Sequence, residues 1–209
     1  MSSLNLAEIA PFDQLQADQL RALQAQIQVR RCRLGQVLQT LEQPGQGLAV
    51  VLRGQLRSLG SDPLQAGLRT IERIGAGGLA GWFGVLSGLS GEQLQVASAE
   101  AELIWIPAHV LRQLCADHPP LTRWFEQQLS AIELHQLLAD QIRHDQAWRH
   151  WLSHGADLLS RARLRQAGAD ANADATLLWL PSPWQSAARE IGLPRPPQLE
   201  ADRALAQEP

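Results

Sequence analysis

Short apolar runs separated by glycine and proline fill the middle of the sequence, and they constrain the fold more than any other feature. Between residues 27 and 60 the β-branched and apolar residues come in stretches of only a few positions. The interruptions are Gly35, Pro44-Gly45, Gly47, Gly54 and Gly60. This pattern is typical of short antiparallel strands joined by tight turns. Strand patterns resume at residues 68–78 and 93–107, so the sequence predicts a mainly β fold with several strands.

Helical periodicity flanks the strands on both sides. Residues 13–26 place three leucines at helical spacing behind Asp13, which suits the N-cap of a short amphipathic helix. Pro107 suits the first turn of a second helix. Beyond it, apolar residues at intervals of three and four predict one short helix, a break at Pro119-Pro120, and a long amphipathic helix near residues 121–145.

Composition limits the classes of partner and the cellular location. The chain has 209 residues, 45% of them hydrophobic, which is typical of a folded globular protein. All 18 basic residues are arginine and the net charge is -3, so no general attraction to nucleic acid or to anionic lipid is expected. The N-terminus has no signal-peptide pattern and no apolar run reaches a membrane span of ~18 residues, which favours a cytoplasmic protein without membrane insertion by this chain.

The sequence offers no enzyme, metal or cofactor motif. Cys32 and Cys115 lie far apart without CxxC spacing, which is typical of small buried hydrophobic residues. His150 and His154 stand four apart, but no third ligand in register accompanies them, so a solvated helix face is favoured over a metal site. We therefore predict a protein that is not an enzyme and holds no cofactor.

The order of elements and the glycine pattern resemble the cyclic-nucleotide-binding domain family over roughly residues 10–140. The segments that carry the resemblance are residues 11–23, 30–57 and 71–86. Gly35, Gly47, Gly54 and Gly75 sit where that family uses glycine for sharp turns. The resemblance implies a β-roll of the double-stranded β-helix or jelly-roll type with flanking helices, followed by a long amphipathic helix. It also implies a phosphate-binding cassette in "GLAGWFGVLSGLSGEQLQVASA", residues 78–99.

That cassette departs from the family pattern at both polar anchors. In binding members a Gly-Glu pair opens a short helix and an arginine precedes the next strand, so that backbone N–H groups and the arginine hold the cyclic phosphate while the glutamate takes the ribose 2'-hydroxyl. Here Gly81 keeps the glycine, Trp82 stands at the glutamate position, and Glu92 falls at or near the arginine position. Gly91-Glu92 is itself a Gly-Glu pair, but it lies too close to the following strand. The residues of the degenerate cassette are Gly81, Trp82, Phe83, Gly84, Glu92 and Val96.

Loss of the arginine is enough to weaken phosphate binding severely. Charge-assisted hydrogen bonds contribute ~1.5–3 kcal/mol each, so the loss amounts to ~3–5 kcal/mol, on the order of 10²- to 10⁴-fold in the dissociation constant. A carboxylate in that position adds repulsion. We predict that cyclic AMP and cyclic GMP do not bind in the usual way, and that Trp82 and Phe83 fill the ligand space.

Two domains are predicted, a β-roll with capping helices at residues 10–145 and a helical extension with a loose tail at residues 146–209. The extension contains Trp148, Trp151, Trp179 and Trp184. An exposed aromatic cluster is typical of a contact surface for a protein partner. Packing of the segment back onto the β-roll is the alternative. The length and apolar stripe of the long helix favour a homodimer as a further hypothesis.

Three functions remain open from the sequence. The first is a regulatory or docking domain that kept the β-roll and lost the ligand; the chain is also similar to N-terminal regions of cyanobacterial ABC exporters. The second is a Crp/Fnr-type transcription regulator with a helix-turn-helix in residues 182–205, although Pro196 and Pro197 would break its recognition helix. The third is a site for another ligand, such as a dinucleotide, heme or apolar molecule, on which the sequence is silent.

Overall fold

The computed structural model describes residues 6–128 and 130–144. The chain divides into two compact units, Met1–Gln128 and Leu129–Pro209, and each is described by itself. In the first unit two 3-10 turns, Leu6–Glu8 and Phe12–Gln14, precede the regular elements. These elements are α1 (Ala17–Gln24), β1 (Gln28–Arg33), β2 (Val37–Gln39), β3 (Gly47–Arg53), β4 (Leu56–Ser61), β5 (Leu68–Ile74), β6 (Leu79–Ala80), α2 (Trp82–Ser87), β7 (Gln93–Val96), β8 (Glu100–Pro107), α3 (Ala108–Asp117) and α4 (Pro119–Glu126). In the second unit the described helix is α5 (Ala131–His144).

The strands form two antiparallel four-stranded sheets. Their orders are β1-β8-β3-β6 and β2-β7-β4-β5. In the first sheet β8 lies between β1 and β3, with Ile104 opposite both Val29 and Val50. In the second sheet β4 lies between β7 and β5, with Ser58 opposite Leu94 and Glu72. The prediction of a mainly β fold of the β-roll type with flanking helices is confirmed.

Two hydrophobic cores lie on opposite faces of the first sheet, because successive side chains of a strand point to opposite sides. Along β3, Leu48 and Val50 join one core while Ala49 and Val51 join the other. We call the first the helix-side core, since it packs the sheet against the 3-10 turns and α1 to α4. The second, the inter-sheet core, contains residues of both sheets. Burial on both faces makes β3 a near-continuous apolar strand.

The first predicted helix starts later than the leucine spacing indicated. Asp13 lies in the 3-10 turn Phe12–Gln14 and does not cap α1, which begins at Ala17 after the N-cap residue Gln16. The backbone N–H of Gln16 donates to Gln19 Oε1 at 2.8 Å. The N-cap position that the sequence analysis gave to Asp13 therefore belongs to Gln16.

The predicted long helix is two helices, and this corrects the sequence analysis. The break at the prolines is confirmed, since α3 ends at Asp117 and α4 begins at Pro119. However, α4 ends at Glu126, and α5 begins only at Ala131. Ser130 Oγ accepts the backbone N–H of Glu133 at 3.3 Å, which satisfies one of the free donors at the start of α5. Apolar periodicity continued through this junction and could not show that the backbone restarts there.

Three of the four glycines of the family pattern are needed, for different reasons, whereas Gly75 has no positive φ and a Cβ there would meet nothing within 4 Å. Gly35 and Gly54 have φ of +81° and +84°, the left-handed region that favours glycine in a turn. A Cβ on Gly54 would also lie 2.3 Å from the carbonyl oxygen of Glu100. Gly47 begins β3 and is crowded, with a Cβ placed 2.6 Å from the Trp105 ring. Gly75 begins a turn in which its carbonyl accepts the N–H of Gly78 at 3.0 Å.

Candidate functional site

The cassette region contains a short helix, α2, with a left-handed glycine at each end. Gly81 has φ +85° and precedes Trp82, the first helical residue, while Gly88 has φ +74° and follows the last. A Cβ on Gly81 would lie 2.6 Å from the carbonyl oxygen of Gly47 and 3.0 Å from Leu94 Cδ1. The glycine at position 81 therefore lets α2 start directly against β3 and β7.

Trp82 packs toward the helices. Its ring centroid lies 5.6 Å from that of Phe125 in α4, and Phe83 meets Trp82 edge-on at 6.2 Å. Trp124 adds an edge-on contact to Phe125 at 5.1 Å. Trp82 is partly buried against the helix-side core. The indole therefore connects α2 to α4, and the idea that Trp82 and Phe83 fill the ligand space stays a prediction.

The turn between β2 and β3 lies directly on α2. A Cβ on Gly45 would stand 2.2 Å from the backbone nitrogen of Val85 and 2.3 Å from the carbonyl carbon of Gly84. Gly84 and Val85 are themselves buried. The cassette helix and this turn therefore touch backbone to backbone, and side chains at Gly45 would separate them.

Glu92 lies at the end of the cassette, next to β7, and points into the protein. Only 6% of its surface is exposed. Glu92, Leu94 and Val96 are buried at alternate positions, while Gln93 and Gln95 between them are less buried. Leu94 and Val96 belong to the inter-sheet core. The carboxyl group therefore faces the same interior as these two apolar side chains.

Three buried polar residues, Gln39, Ser58 and Glu92, form what we call the Glu92 cluster. The Ser58 hydroxyl donates to Glu92 Oε1 at 2.6 Å, and Gln39 Nε2 donates to the Glu92 carbonyl oxygen at 3.1 Å. Gln39 Oε1 accepts the backbone N–H of Gln46 at 2.9 Å. Among the described residues, Glu92 Oε2 has no hydrogen-bond partner although it is buried. An oxygen in that state is costly when the carboxyl is ionised.

Burial raises the pKa of Glu92 to about 7, with a further upward contribution from the negative charge of Glu72, whereas the hydrogen bond from Ser58 lowers it. Between Arg73 and Glu100 the sequence has no charged residue except Glu92. A phosphate placed here would meet an acidic group and no cation from the cassette. The cation that contacts the cassette helix comes from outside it, since Arg112 of α3 donates from Nη1 to the Val85 carbonyl oxygen at 3.4 Å.

Sequence reasoning found Glu92 but missed two of its partners. Ser58 and Gln39 come from β4 and β2, which are distant in sequence, and neither stands in a recognisable motif. An inward position for Ser58 could have been inferred from its alternation with Leu56, but not its contact with Glu92. The prediction that Cys32 and Cys115 are buried is confirmed, and both are free thiols.

Several predicted features lie outside the described residues. They are the four tryptophans at 148, 151, 179 and 184, the His150/His154 pair and the helix-turn-helix segment at 182–205. Within the described ranges, no helix has the length and apolar character needed to cross a bilayer.

The fold is that of the cyclic-nucleotide-binding domain. Two solved structures of the regulatory subunit of a cAMP-independent protein kinase A from Trypanosoma brucei, one of them a triple mutant bound to cAMP, share it with a TM-score of 0.53 and 16% identity. The match covers 63% of this chain and 47% of that subunit, so it spans about half of the subunit's length. A cyclic nucleotide-binding domain from Methylobacillus flagellatus is 25% identical over 66% of this chain and 75% of its own, with a TM-score of 0.47. No protein-family model matches the sequence, and no curated protein is similar to it in sequence.

Proposed function

We propose that this chain is a regulatory or docking domain that uses the cyclic-nucleotide-binding fold without holding the phosphate of cyclic AMP or cyclic GMP. The observation that carries the proposal is the buried carboxyl of Glu92 beside the cassette, where a phosphate needs a cation. When Glu92 is ionised, its carboxylate would repel an anion placed next to it. When Glu92 is protonated, the neutral acid would supply at most one hydrogen bond.

The aromatic side of the cassette supports the same proposal. Trp82 stands where binding members of the family carry the glutamate that hydrogen-bonds the ribose hydroxyl, and its ring packs against Phe125. The Trypanosoma brucei protein is the regulatory subunit of a cAMP-independent protein kinase A, so the same fold occurs in a regulatory subunit whose kinase is independent of cAMP. A regulatory role therefore does not require the usual ligand.

A titration with cyclic nucleotides followed by thermal unfolding tests the proposal. A ligand present at 100 times its dissociation constant stabilises the native state by ~2.7 kcal/mol, which raises the unfolding temperature by several degrees. We expect no shift with cyclic AMP or cyclic GMP up to millimolar concentration. A shift that saturates at micromolar ligand would overturn the proposal. The single variant Glu92→Arg, which replaces the acid with the cation of the family pattern, provides a matched comparison and is expected to gain a shift.

We also propose contacts with other chains beyond the β-roll. A protein partner would bind the tryptophan-containing segment, and a homodimer would form through the helical region that includes α5. The apolar periodicity of the sequence after Pro120 supports the second idea. Sedimentation velocity at ~100 μM tests it, because a pure monomer at that concentration contradicts a dimer of useful affinity.

A further inference from the structure

The unpartnered oxygen of Glu92, Oε2, is too enclosed to bind anything larger than a proton. Oε2 has less than 1 Å² of accessible surface, so nothing the size of a water molecule reaches it in this arrangement. A proton is the one ligand that needs no additional space. Once protonated, the carboxyl is neutral, and the cost of burying an ionised group beside Leu94 disappears.

Within residues 6–128 and 130–144, the groups against the carboxyl are neutral or negatively charged. From β4 it meets the neutral hydroxyl of Ser58, and from β5 the negative charge of Glu72 acts on it. The main chain at Glu92 is met by the neutral amide of Gln39 from β2. From β6 through β7, residues 79–96, Glu92 is the one charged residue.

The arginines on the neighbouring strands are directed elsewhere. Arg57 alternates with Ser58 along β4 and donates from Nε to Gln95 Oε1 at 2.9 Å, on the face of the sheet away from Glu92. Arg73 is opposite Arg57 in the β4–β5 pair, and Arg69 is opposite Gly60, beyond the bulge between Ser58 and Leu59.

The backbone at Glu92 is linked to the rest of the cassette. Gly91 N–H donates to the Leu41 carbonyl at 2.8 Å, and Gln39 joins the Glu92 carbonyl to the N–H of Gln46. The turn that contains Gly45 and Gln46 lies on the backbone of α2. Movement of the Glu92 carboxyl out of the interior would therefore strain or release the contact between this turn and the cassette.

We propose that Glu92 is the proton-binding group of a pH-responsive switch in the cassette. With the proton bound, the carboxyl stays buried beside Ser58 and the segment 88–92 is closed against the β2–β3 turn. When the proton is lost, the carboxyl moves to solvent and the segment opens. The switch does not depend on whether a cyclic nucleotide binds.

Hydrogen exchange measured by mass spectrometry between pH 5 and pH 8 tests the switch. Protection factors, corrected for the intrinsic pH dependence of exchange, are compared for peptides that cover residues 84–96 and peptides that cover β3 and β8. With an ordinary glutamate pKa in the open form and a pKa of about 7 in the closed form, opening should become on the order of 50-fold more frequent over this range. We expect the protection factors to fall by this factor in residues 84–96 and to change little in β3 and β8.

Three variants separate the switch from a general effect of pH. Glu92→Gln keeps the shape without the charge and should make the cassette protection independent of pH. Ser58→Ala removes the hydrogen bond that lowers the pKa of Glu92 and should extend the fall in protection to higher pH. Glu126→Gln alters an exposed glutamate of α4, outside the segments of the switch, and should behave like the wild type. A wild-type profile that is flat, that is unchanged in Ser58→Ala, or that falls equally in β3 and β8 would overturn the proposal.

Discussion

The two cores of the β-roll unit differ in chemistry although one sheet contributes to both. The helix-side core is made of apolar and aromatic residues, and it gathers Trp82, Trp124 and Phe125 into a contact between α2 and α4. The inter-sheet core lies beside the Glu92 cluster, where a buried acid has one oxygen satisfied and one not. The comparison shows that packing on the helix side of the cassette stabilises the fold, whereas Glu92 on the inter-sheet side lowers stability when its carboxyl is ionised.

The unpartnered oxygen of Glu92 is informative because buried polar groups normally have hydrogen-bond partners. A sequence selected only for packing would replace Glu92 with an apolar residue, as at the neighbouring positions Leu94 and Val96. The buried acid is the basis of the proposed switch, and the four predictions below test how different the two cores are.

The largest expected effect is the loss of an aromatic anchor from the helix-side core. Phe125 is fully buried and contacts both Trp82 and Trp124. Phe125→Ala should lower the free energy of unfolding by ~3–5 kcal/mol, since it removes apolar contact and leaves a cavity. Urea denaturation measures the loss. Leu89→Ala, at an exposed position, is the control and should change stability by less than ~0.5 kcal/mol. Equal losses in the two variants would contradict the packing described for α4.

The next effect has the opposite sign and depends on pH. The folded pKa of Glu92 is about 7, above its ordinary value of 4.5, so the folded state holds the proton more tightly than the unfolded state. Its stabilising contribution is present in full below about pH 4.5 and is lost as pH rises through about 7. Glu92→Gln should therefore be more stable than the wild type at pH 8, by up to ~3 kcal/mol, with little gain at pH 4. Urea denaturation at both pH values decides the matter, and a pH-independent difference would argue against a buried neutral acid.

The two ends of α2 should differ in how much an added side chain lowers stability. Gly81 and Gly88 have similar positive φ values, but a Cβ on Gly81 meets the Gly47 carbonyl whereas a Cβ on Gly88 meets nothing within 4 Å. Gly88→Ala should cost ~1–2 kcal/mol from the left-handed backbone alone. Gly81→Ala should cost more by ~1 kcal/mol or above because strain is added to the same penalty. Thermal unfolding of the two variants gives the difference, and equal losses would mean that the contact with β3 relaxes freely.

The smallest effect concerns the edge of the inter-sheet core. The Arg30 guanidinium lies 4.6 Å from the centre of the Trp105 ring, and the arginine is partly buried. Arg30→Gln should lower stability by ~0.5–1 kcal/mol through loss of the cation–π contact. Arg31→Gln is the matched control on the next residue, whose exposed side chain makes a 3.7 Å ion pair with Glu102. A larger loss for Arg31→Gln would show that the ring contact contributes nothing.

The fold could be predicted from the sequence because its signals are local. Glycines such as Gly35 and Gly54 mark turns that other residues adopt only with strain, and the burial of both faces of β3 is visible as a run of apolar residues. Apolar spacing continues through the junction before Ala131 and does not show that the helix restarts there, although Ser130 followed three residues later by Glu133 is the capping-box pattern that marks a helix start.

The site was predictable only in part, for a physical reason. Glu92 stands in a motif whose spacing can be counted, so its anomaly appears in the sequence. Ser58 and Gln39 reach it through sheet pairing over 34 and 53 residues, and pairing of that range depends on the whole fold. The direction taken by Trp82 depended on α4, which the sequence merged with a longer helix.

The position of β8 between β1 and β3 has a consequence for how the chain is made. Strands β1 and β3 each pair with β8, so neither pairing can form until residues 100–107 are present. Contacts of such long range slow folding, because most of the chain must be ordered before they stabilise anything. During synthesis, therefore, the first half of the β-roll leaves the ribosome without its central strand, and a chain that stops before Glu100 has no template on which β1 and β3 can meet.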